Sequence, residues 1–515
     1  MPTPGRLSGI LLPLFSLRTA SDFGVGDFSG LPGLFKWMRE AQQRLLMLLP
    51  LLPAAPDDPS PYATRSAFGL HPLFIDLSAL PEWQALGGER ALTPAEQVRL
   101  REARAAIRIA HPTVFELKGR AFQLAFDRFE SEADPARRAG FEAFMQREGE
   151  WLDAYALFCA LSESHRHLPW WEWPEGEHHR DPAALGEART RLAPRRRFHA
   201  WLQWVAHTQW DAVRAQAREA GILLCGDEPF IVGQDSVDAW SHPTLLRRDA
   251  RLGVPPDPFS ATGQDWGLPW FDFAAMAVDG DSWLRARAAS GRRYYDLRRI
   301  DHAVGYFRQY IRTPGEAEGR FIPGDTLEQI ALGERLFRLM SEGADIVAED
   351  LGVIPPFVRD TLQNLGIPGY KVMRWERHNQ DTWINPDTYP KTSLVCTGTH
   401  DTEPMATWWN SLSREEKLGL VRSWPVSFQS HPPTEQFGPG VHYALLHAAL
   451  FSGSDLCVLP WQDVMGTEDR INLPGSVDAS NWSWRMPQEA DALLTDPHTR
   501  QAASQLGALT SAAGR

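Results

Sequence analysis

Cysteine is scarce in this chain of 515 residues, and the 4 that occur, at 159, 225, 396 and 457, lie far apart in apolar runs. No CxxC pair or zinc-ligand spacing joins them, which excludes a disulfide framework and points to reduced core thiols. Long apolar runs are also missing: none approaches the roughly 20 residues that cross a bilayer. The run from Ile10 to Leu17 behind Arg6 is too short for a secretory signal, is interrupted by Pro13 and has no small-x-small cleavage site after it. A soluble, cytoplasmic protein with no membrane partner is expected. Positive charge is in deficit, with a formal net charge of −13 and only short basic runs at 195–197 and 298–299, and this argues against nucleic acid as a partner. Low-complexity tracts and repeats are absent as well, so a solenoid is excluded. The glycine run from Gly24 to Gly30 lacks the GxGxxG spacing of a dinucleotide site, and neither Ser60 nor Ser66 sits in a nucleophile elbow. His165, His167, His178 and His179 read as surface residues of a tryptophan-rich stretch, so neither a metal nor a cofactor is expected.

Tryptophan, in contrast, is abundant, at 21 residues. Stretches such as Trp170-Trp171-Glu172-Trp173 and Trp482-Ser483-Trp484-Arg485 set flat apolar rings beside polar groups, a surface that suits the C–H faces and hydroxyl edges of sugars.

Short strand-like runs that turn polar at their carboxyl ends recur along the chain. Leu45–Pro50 leads to Ser60-Pro61-Tyr62, Ile222–Cys225 to Asp227, Tyr294–Ile300 to Asp301, Ile346–Ala348 to Glu349, Leu394–Cys396 to Asp401, and Leu456–Pro460 to Asp463. Amphipathic stretches such as Leu327–Met340 and Val441–Leu450 lie between several of them. This alternation predicts an α/β fold of the (β/α) barrel type, forming one domain over 1–515. Residues 86–220 interrupt the pattern and read as a helical insertion with capping boxes at Thr93–Glu96 and Thr113–Glu116. Residues 252–273, rich in Pro, Gly and Trp, read as a long ordered loop over an active site.

An unpaired charge inside a buried strand costs several kcal/mol, roughly, whereas the carboxyl end of a barrel strand opens onto the face where barrels place their chemistry. Asp301, Glu349 and Asp401 at three such ends supply what a retaining glycosidase mechanism needs: a nucleophile and a proton donor about 5–5.5 Å apart, with a third carboxylate to hold the sugar. Arg299, two residues before Asp301, shares its face of the strand and can keep it ionised. Glu349 lies between apolar Ala348 and anionic Asp350, a setting that favours its protonated form. Asp401, beside His400, would bind substrate hydroxyls.

The residues just quoted, together with Gly253-Val254-Pro255-Pro256-Asp257, Phe259–Gly263 with Gln264 and Trp266-Gly267, Asp235–Trp240, Gln462-Asp463 and Asn472–Gly475, resemble the 4-α-glucanotransferases of glycoside hydrolase family 77, the amylomaltases or disproportionating enzymes. The resemblance runs from about Arg6 to Arg485. It implies a single catalytic (β/α)8 TIM-type barrel with inserted, largely helical subdomains, and cofactor-free, retaining transfer of α-1,4-glucan segments between a malto-oligosaccharide or glucan donor and a sugar acceptor. It assigns Asp301 as nucleophile, Glu349 as acid/base and Asp401 as transition-state stabiliser. Arg299 and His400 would support them, and Ser60, Tyr62, Asp257, Gln264 and Trp266 would contact substrate.

Several positions depart from the family pattern. Leu46-Met47 stand for a usual Trp-Gln, His71 for Asn, and Leu268 for Asn. Ala303-Val304 replace Phe-Arg, Thr402-Glu403 replace Asn-Asp, and Arg374-Trp375-Glu376 fall in a usually apolar stretch. Hydrolysis of glucan on the same carboxylates is the alternative activity, and a non-catalytic glucan-binding protein the alternative class. Transfer needs an acceptor hydroxyl positioned well enough to outcompete water. The sequence does not fix the oligomeric state.

Overall fold

The computed structural model describes residues 5–55, 58–255, 263–316, 318–429 and 433–515. Eight short strands form its centre: β1 (Leu7–Leu11), β2 (Leu45–Leu48), β3 (Leu223–Glu228), β4 (Leu297–Ile300), β5 (Asp345–Ala348), β6 (Gly369–Val372), β7 (Ser393–Cys396) and β8 (Leu456–Pro460). All neighbours are parallel, in the order β6-β7-β8-β1-β2-β3-β4-β5. Across the remaining seam the Ala348 N–H donates to the Pro368 carbonyl at 2.9 Å. Eight parallel strands in cyclic chain order, with helices outside, make a nearly closed (β/α)8 barrel. The apolar run behind Arg6 starts with β1, which pairs with both β2 and β8. Gly9 is needed there, because a Cβ would come within 2.0 Å of the Leu45 carbonyl oxygen.

Tyr294 and Tyr295, expected at the start of β4, instead lie at the end of the helix Ser282–Tyr294. Its buried face, Trp283, Leu284, Arg287, Ala288, Gly291 and Tyr294, repeats at helical spacing and ends at Tyr294, while Tyr295 caps the helix in an extended conformation.

Between β2 and β3 the chain is helical from Pro94 to Glu219 apart from short turns. Thr93 and Glu96 form a reciprocal capping box. Thr113 does not: the next helix begins earlier, at His111, and Glu116 reaches across to the Arg99 guanidinium at 2.6–2.7 Å instead. The helix Ala193–Glu219 feeds directly into β3, and its Trp201, Trp204 and Trp210 share one apolar core with the barrel strands.

The stretch expected as a long loop carries two strands. Leu246–Val254 and Gln264–Phe271 pair antiparallel, and Gln309–Arg312 and Arg320–Ile322 extend them to a four-stranded sheet. Trp266, Leu268 and Trp270 alternate along the second strand, a period-2 signal that the density of Gly and Pro obscured. The first two of these strands follow β3 and the last two follow β4, so this sheet is built from the segments that leave the carboxyl ends of both.

Candidate active site

Each expected carboxylate leaves its strand end at the same face of the barrel. Asp301 directly follows β4, Glu349 follows β5, and Asp401 lies five residues beyond β7. Arg299 points the same way from within β4. Its Nη1 donates to Asp301 Oδ1 at 2.8 Å and to Asp227 Oδ1, from β3, at 2.6 Å. Burial works against the Arg299 charge, yet Asp227 and Asp301 hold its pKa well above the usual arginine value. Burial raises the Asp227 pKa against the pull of Arg299.

Glu349 is held by backbone on both oxygens: the His302 N–H donates to Oε2 at 2.8 Å and the Leu351 N–H to Oε1 at 3.1 Å. His302 takes a left-handed conformation, φ 47°, immediately after Asp301. A histidine rarely adopts this backbone, and here it presents its N–H to Glu349. Burial pushes the Glu349 pKa up to about 8; Arg299 opposes the shift and the Asp301 charge adds to it. Asp350, expected to contribute, does not: it is buried on the other side, accepting from the Tyr370 N–H at 2.7 Å and from Arg359 at 3.1 Å.

Asp401 has the opposite balance. Burial would raise its pKa, but His400, with Nε2 3.3 Å from Oδ2, and Asn472, donating to Oδ1 at 2.6 Å, bring it down to about 2. Burial opposes the His400 charge, and Asp401 nevertheless raises the His400 pKa above the ordinary value. The His400 ring stacks on Tyr62, centroids 5.2 Å apart, and leans on Trp482 at 5.8 Å. The Tyr62 hydroxyl donates to Asp227 Oδ2 at 2.7 Å and lies 3.0 Å from His400 Nε2. An unbroken polar chain therefore runs from Asn472 through Asp401, His400, Tyr62, Asp227 and Arg299 to Asp301.

From the four-stranded sheet, Trp266 sets its ring edge-on to His302 with centroids 4.8 Å apart, and its Nε1 donates to Gln264 Oε1 at 3.0 Å. Ser60 uses its hydroxyl to accept the Tyr62 N–H at 3.3 Å, fixing the turn that carries Tyr62. Asp257 lies outside the described residues.

Comparison with known proteins decides the family. The model of glycoside hydrolase family 77, described as 4-alpha-glucanotransferase, matches residues 12–491. The chain belongs to the 4-α-glucanotransferase family. It is 34% identical to the 4-alpha-glucanotransferase of Thermus thermophilus over 93% of this chain and 95% of that one. With the Synechocystis 4-alpha-glucanotransferase it shares 32% over 93% and 94%. The amylomaltase of Streptococcus agalactiae, solved in complex with acarbose, superposes with a TM-score of 0.84 at 26% identity, covering 99% of both chains. This chain is thus an enzyme of the 4-α-glucanotransferase type.

Two members of the polar chain, and Trp482 beside it, were not among the expected site residues of this 4-α-glucanotransferase. Asp227 was visible as a polar strand end but without a partner to give it a role. Asn472 and Trp482 arrive from far along the sequence, and only the fold brings them to Asp401 and His400. Of the tryptophan-rich stretches, Trp170 and Trp173 are buried and Trp171 lies beneath the Arg248 guanidinium at 3.6 Å, so this cluster packs against protein.

The departures from the family pattern fall in two settings. Met47 lies inside the barrel below the site, where it accepts a weak hydrogen bond from the Tyr370 hydroxyl at 3.6 Å, and His71 caps the turn Pro72–Phe74. Arg374, Trp375 and Glu403 stand on the rim.

Proposed function

We propose that the protein is a retaining 4-α-glucanotransferase that moves α-1,4-glucan segments between malto-oligosaccharides through a glycosyl ester on Asp301. The observation that carries this reading is the opposed setting of two neighbouring carboxyl groups. Asp301 is paired with the Arg299 guanidinium, while Glu349 has its pKa raised to about 8. A carboxyl group that keeps its proton serves as the acid, and its guanidinium-paired neighbour as the nucleophile.

In the first step an Asp301 oxygen attacks the anomeric carbon, the glycosidic C–O bond breaks, and Glu349 gives its proton to the departing oxygen. In the second, a sugar hydroxyl attacks the same carbon, loses its proton to the Glu349 carboxylate and frees Asp301. Asp401, kept anionic by His400 and Asn472, holds ring hydroxyls and favours the positive charge that builds at the anomeric centre. Gln264 and Trp266 lie on the strand that meets His302, next to the nucleophile. A wall in that place can seat an acceptor sugar and limit water at the intermediate. The acarbose complex of the streptococcal amylomaltase supports a glucan-like ligand.

Purified protein incubated with maltotriose tests the proposal. Transfer yields glucose and a ladder of longer maltodextrins with no net gain in reducing ends. Shorter sugars with rising reducing ends would instead mean hydrolysis on the same carboxylates.

A further inference from the structure

Arg374 and Glu403, two of the positions that depart from the family pattern, are partners. Arg374 Nη1 lies 3.2 Å from Glu403 Oε1 and donates to the Glu403 carbonyl at 2.7 Å, while its Nε donates to the Thr397 carbonyl at 3.0 Å. The guanidinium is almost wholly buried, 5.2 Å from the Trp408 ring centroid. Arg374 follows β6, and the segment it grips, Thr397–Glu403, follows β7 and carries His400 and Asp401. From the opposite neighbour, β8, Asp463 holds the same segment by accepting from the Thr397 hydroxyl and, at 2.6 Å, from the Met405 N–H. Inside the segment another departure, Thr402, closes the turn: its hydroxyl accepts from the Thr399 N–H at 3.0 Å and donates to the Thr399 carbonyl at 3.1 Å. Packing is tight, since a Cβ on Gly398 would come within 2.4 Å of Thr402 Oγ1 and 2.9 Å of Arg374 Nη2.

We propose that Arg374 is a positioning residue for Asp401, acting through the Thr397–Glu403 segment, and that Glu403 orients its guanidinium for that task. The inference rests on the reading of Asp401 as the group that stabilises the transition state. Removing the guanidinium leaves the buried Thr397 carbonyl and the part-buried Glu403 carbonyl without their donor, and the segment must move to hydrate them. A shift of Asp401 by a fraction of an ångström weakens contacts that tighten only in the transition state, so the effect falls on kcat and not on KM. The rim tolerates a charge at 374 because 403 supplies the opposite one.

The test measures maltotriose transfer and melting temperature for Arg374→Met, Arg374→Lys, Glu403→Gln and Asp401→Asn. Arg374→Met is expected to lose at least about tenfold in kcat with KM within about twofold. Arg374→Lys, which can still donate to one carbonyl, recovers part of the loss. Glu403→Gln keeps the backbone acceptor and loses about threefold in kcat. Folded Arg374→Met with wild-type kcat, or with a changed KM alone, overturns the proposal. If Arg374→Met does not fold, Glu403→Gln decides: a threefold kcat loss at constant KM supports it, and wild-type kinetics overturns it. An Asp401→Asn variant that stays active would overturn the reading of the site itself, whereas an inactive Asp401→Asn beside a fully active Arg374→Met refutes the positioning role alone.

Discussion

A single nitrogen of Arg299 serves two carboxylates, with Nη1 at 2.6 Å from Asp227 Oδ1 and 2.8 Å from Asp301 Oδ1. Asp227 is also bonded by the Tyr62 hydroxyl, which in turn meets His400. The arginine therefore links Asp301 to Asp401 through side chains alone. Replacing Arg299 with Met should lower kcat/KM for maltotriose by about a hundredfold, the cost of losing orientation and charge at Asp301. Asp227→Asn, which leaves the Asp301 contact, should cost about tenfold or less. Equal losses would show that Asp227, not Arg299, organises the site.

The raised Glu349 pKa predicts a pH profile. The proposed first step needs Glu349 protonated, so kcat/KM should fall as pH rises through about 8. The linked stability effect has a definite sign. A carboxyl group with a raised folded pKa binds more protons when folded, so stability declines between the ordinary glutamate value of 4.5 and about 8. Glu349→Gln should therefore raise the melting temperature at pH 8, by on the order of 1–2 °C, and change it little at pH 4. Unchanged melting at pH 8 would contradict the burial argument.

His400 reports on Asp401. Asp401 is the main group raising the His400 pKa, with Asp227 adding and Arg299 and burial opposing. Asp401→Asn should shift the His400 ring titration downward, as followed by NMR. An upward or absent shift would show that the pair at 3.3 Å does not couple the two residues.

Stability away from the site depends on a fully enclosed ion pair. Arg485 Nη2 lies 2.6 Å from Asp22 Oδ2, both side chains at 0% exposure, and Arg485 also donates to the Ala103 and Arg104 carbonyls. This joins the C-terminal segment to β1's following loop and to the helical insertion. Asp22→Ala leaves the guanidinium buried without its counter-charge and should cost about 3–5 kcal/mol in denaturant unfolding. A loss under 1 kcal/mol, roughly the value of an exposed pair, would show that water reaches the arginine.

Legibility followed distance along the chain. Polar residues at the ends of apolar strands pointed to the barrel and to Asp301, Glu349 and Asp401, because an unpaired charge elsewhere on a buried strand is costly. Arg299 was readable from strand periodicity. For Glu349 the expected cause differs from the one found: its neighbour Asp350 faces Arg359 and Tyr370, and it is burial and Asp301 that raise its pKa. The antiparallel strands Leu246–Val254 and Gln264–Phe271 were hidden because glycines and prolines mask alternation. Asn472, Trp482 and the Arg374–Glu403 pair were beyond reach, since each joins residues that only the closed barrel brings together.

Glu349→Gln with an α-maltotriosyl fluoride donor gives the most direct test of Asp301 as nucleophile. Fluoride leaves without protonation, so the first step proceeds while the second, lacking its base, stalls. After acid quenching and proteolysis, mass spectrometry should find the maltotriosyl adduct on the peptide containing Asp301, and no adduct in the Asp301→Asn, Glu349→Gln double variant. Fluoride release with no adduct, or an adduct on another carboxylate, would contradict the account.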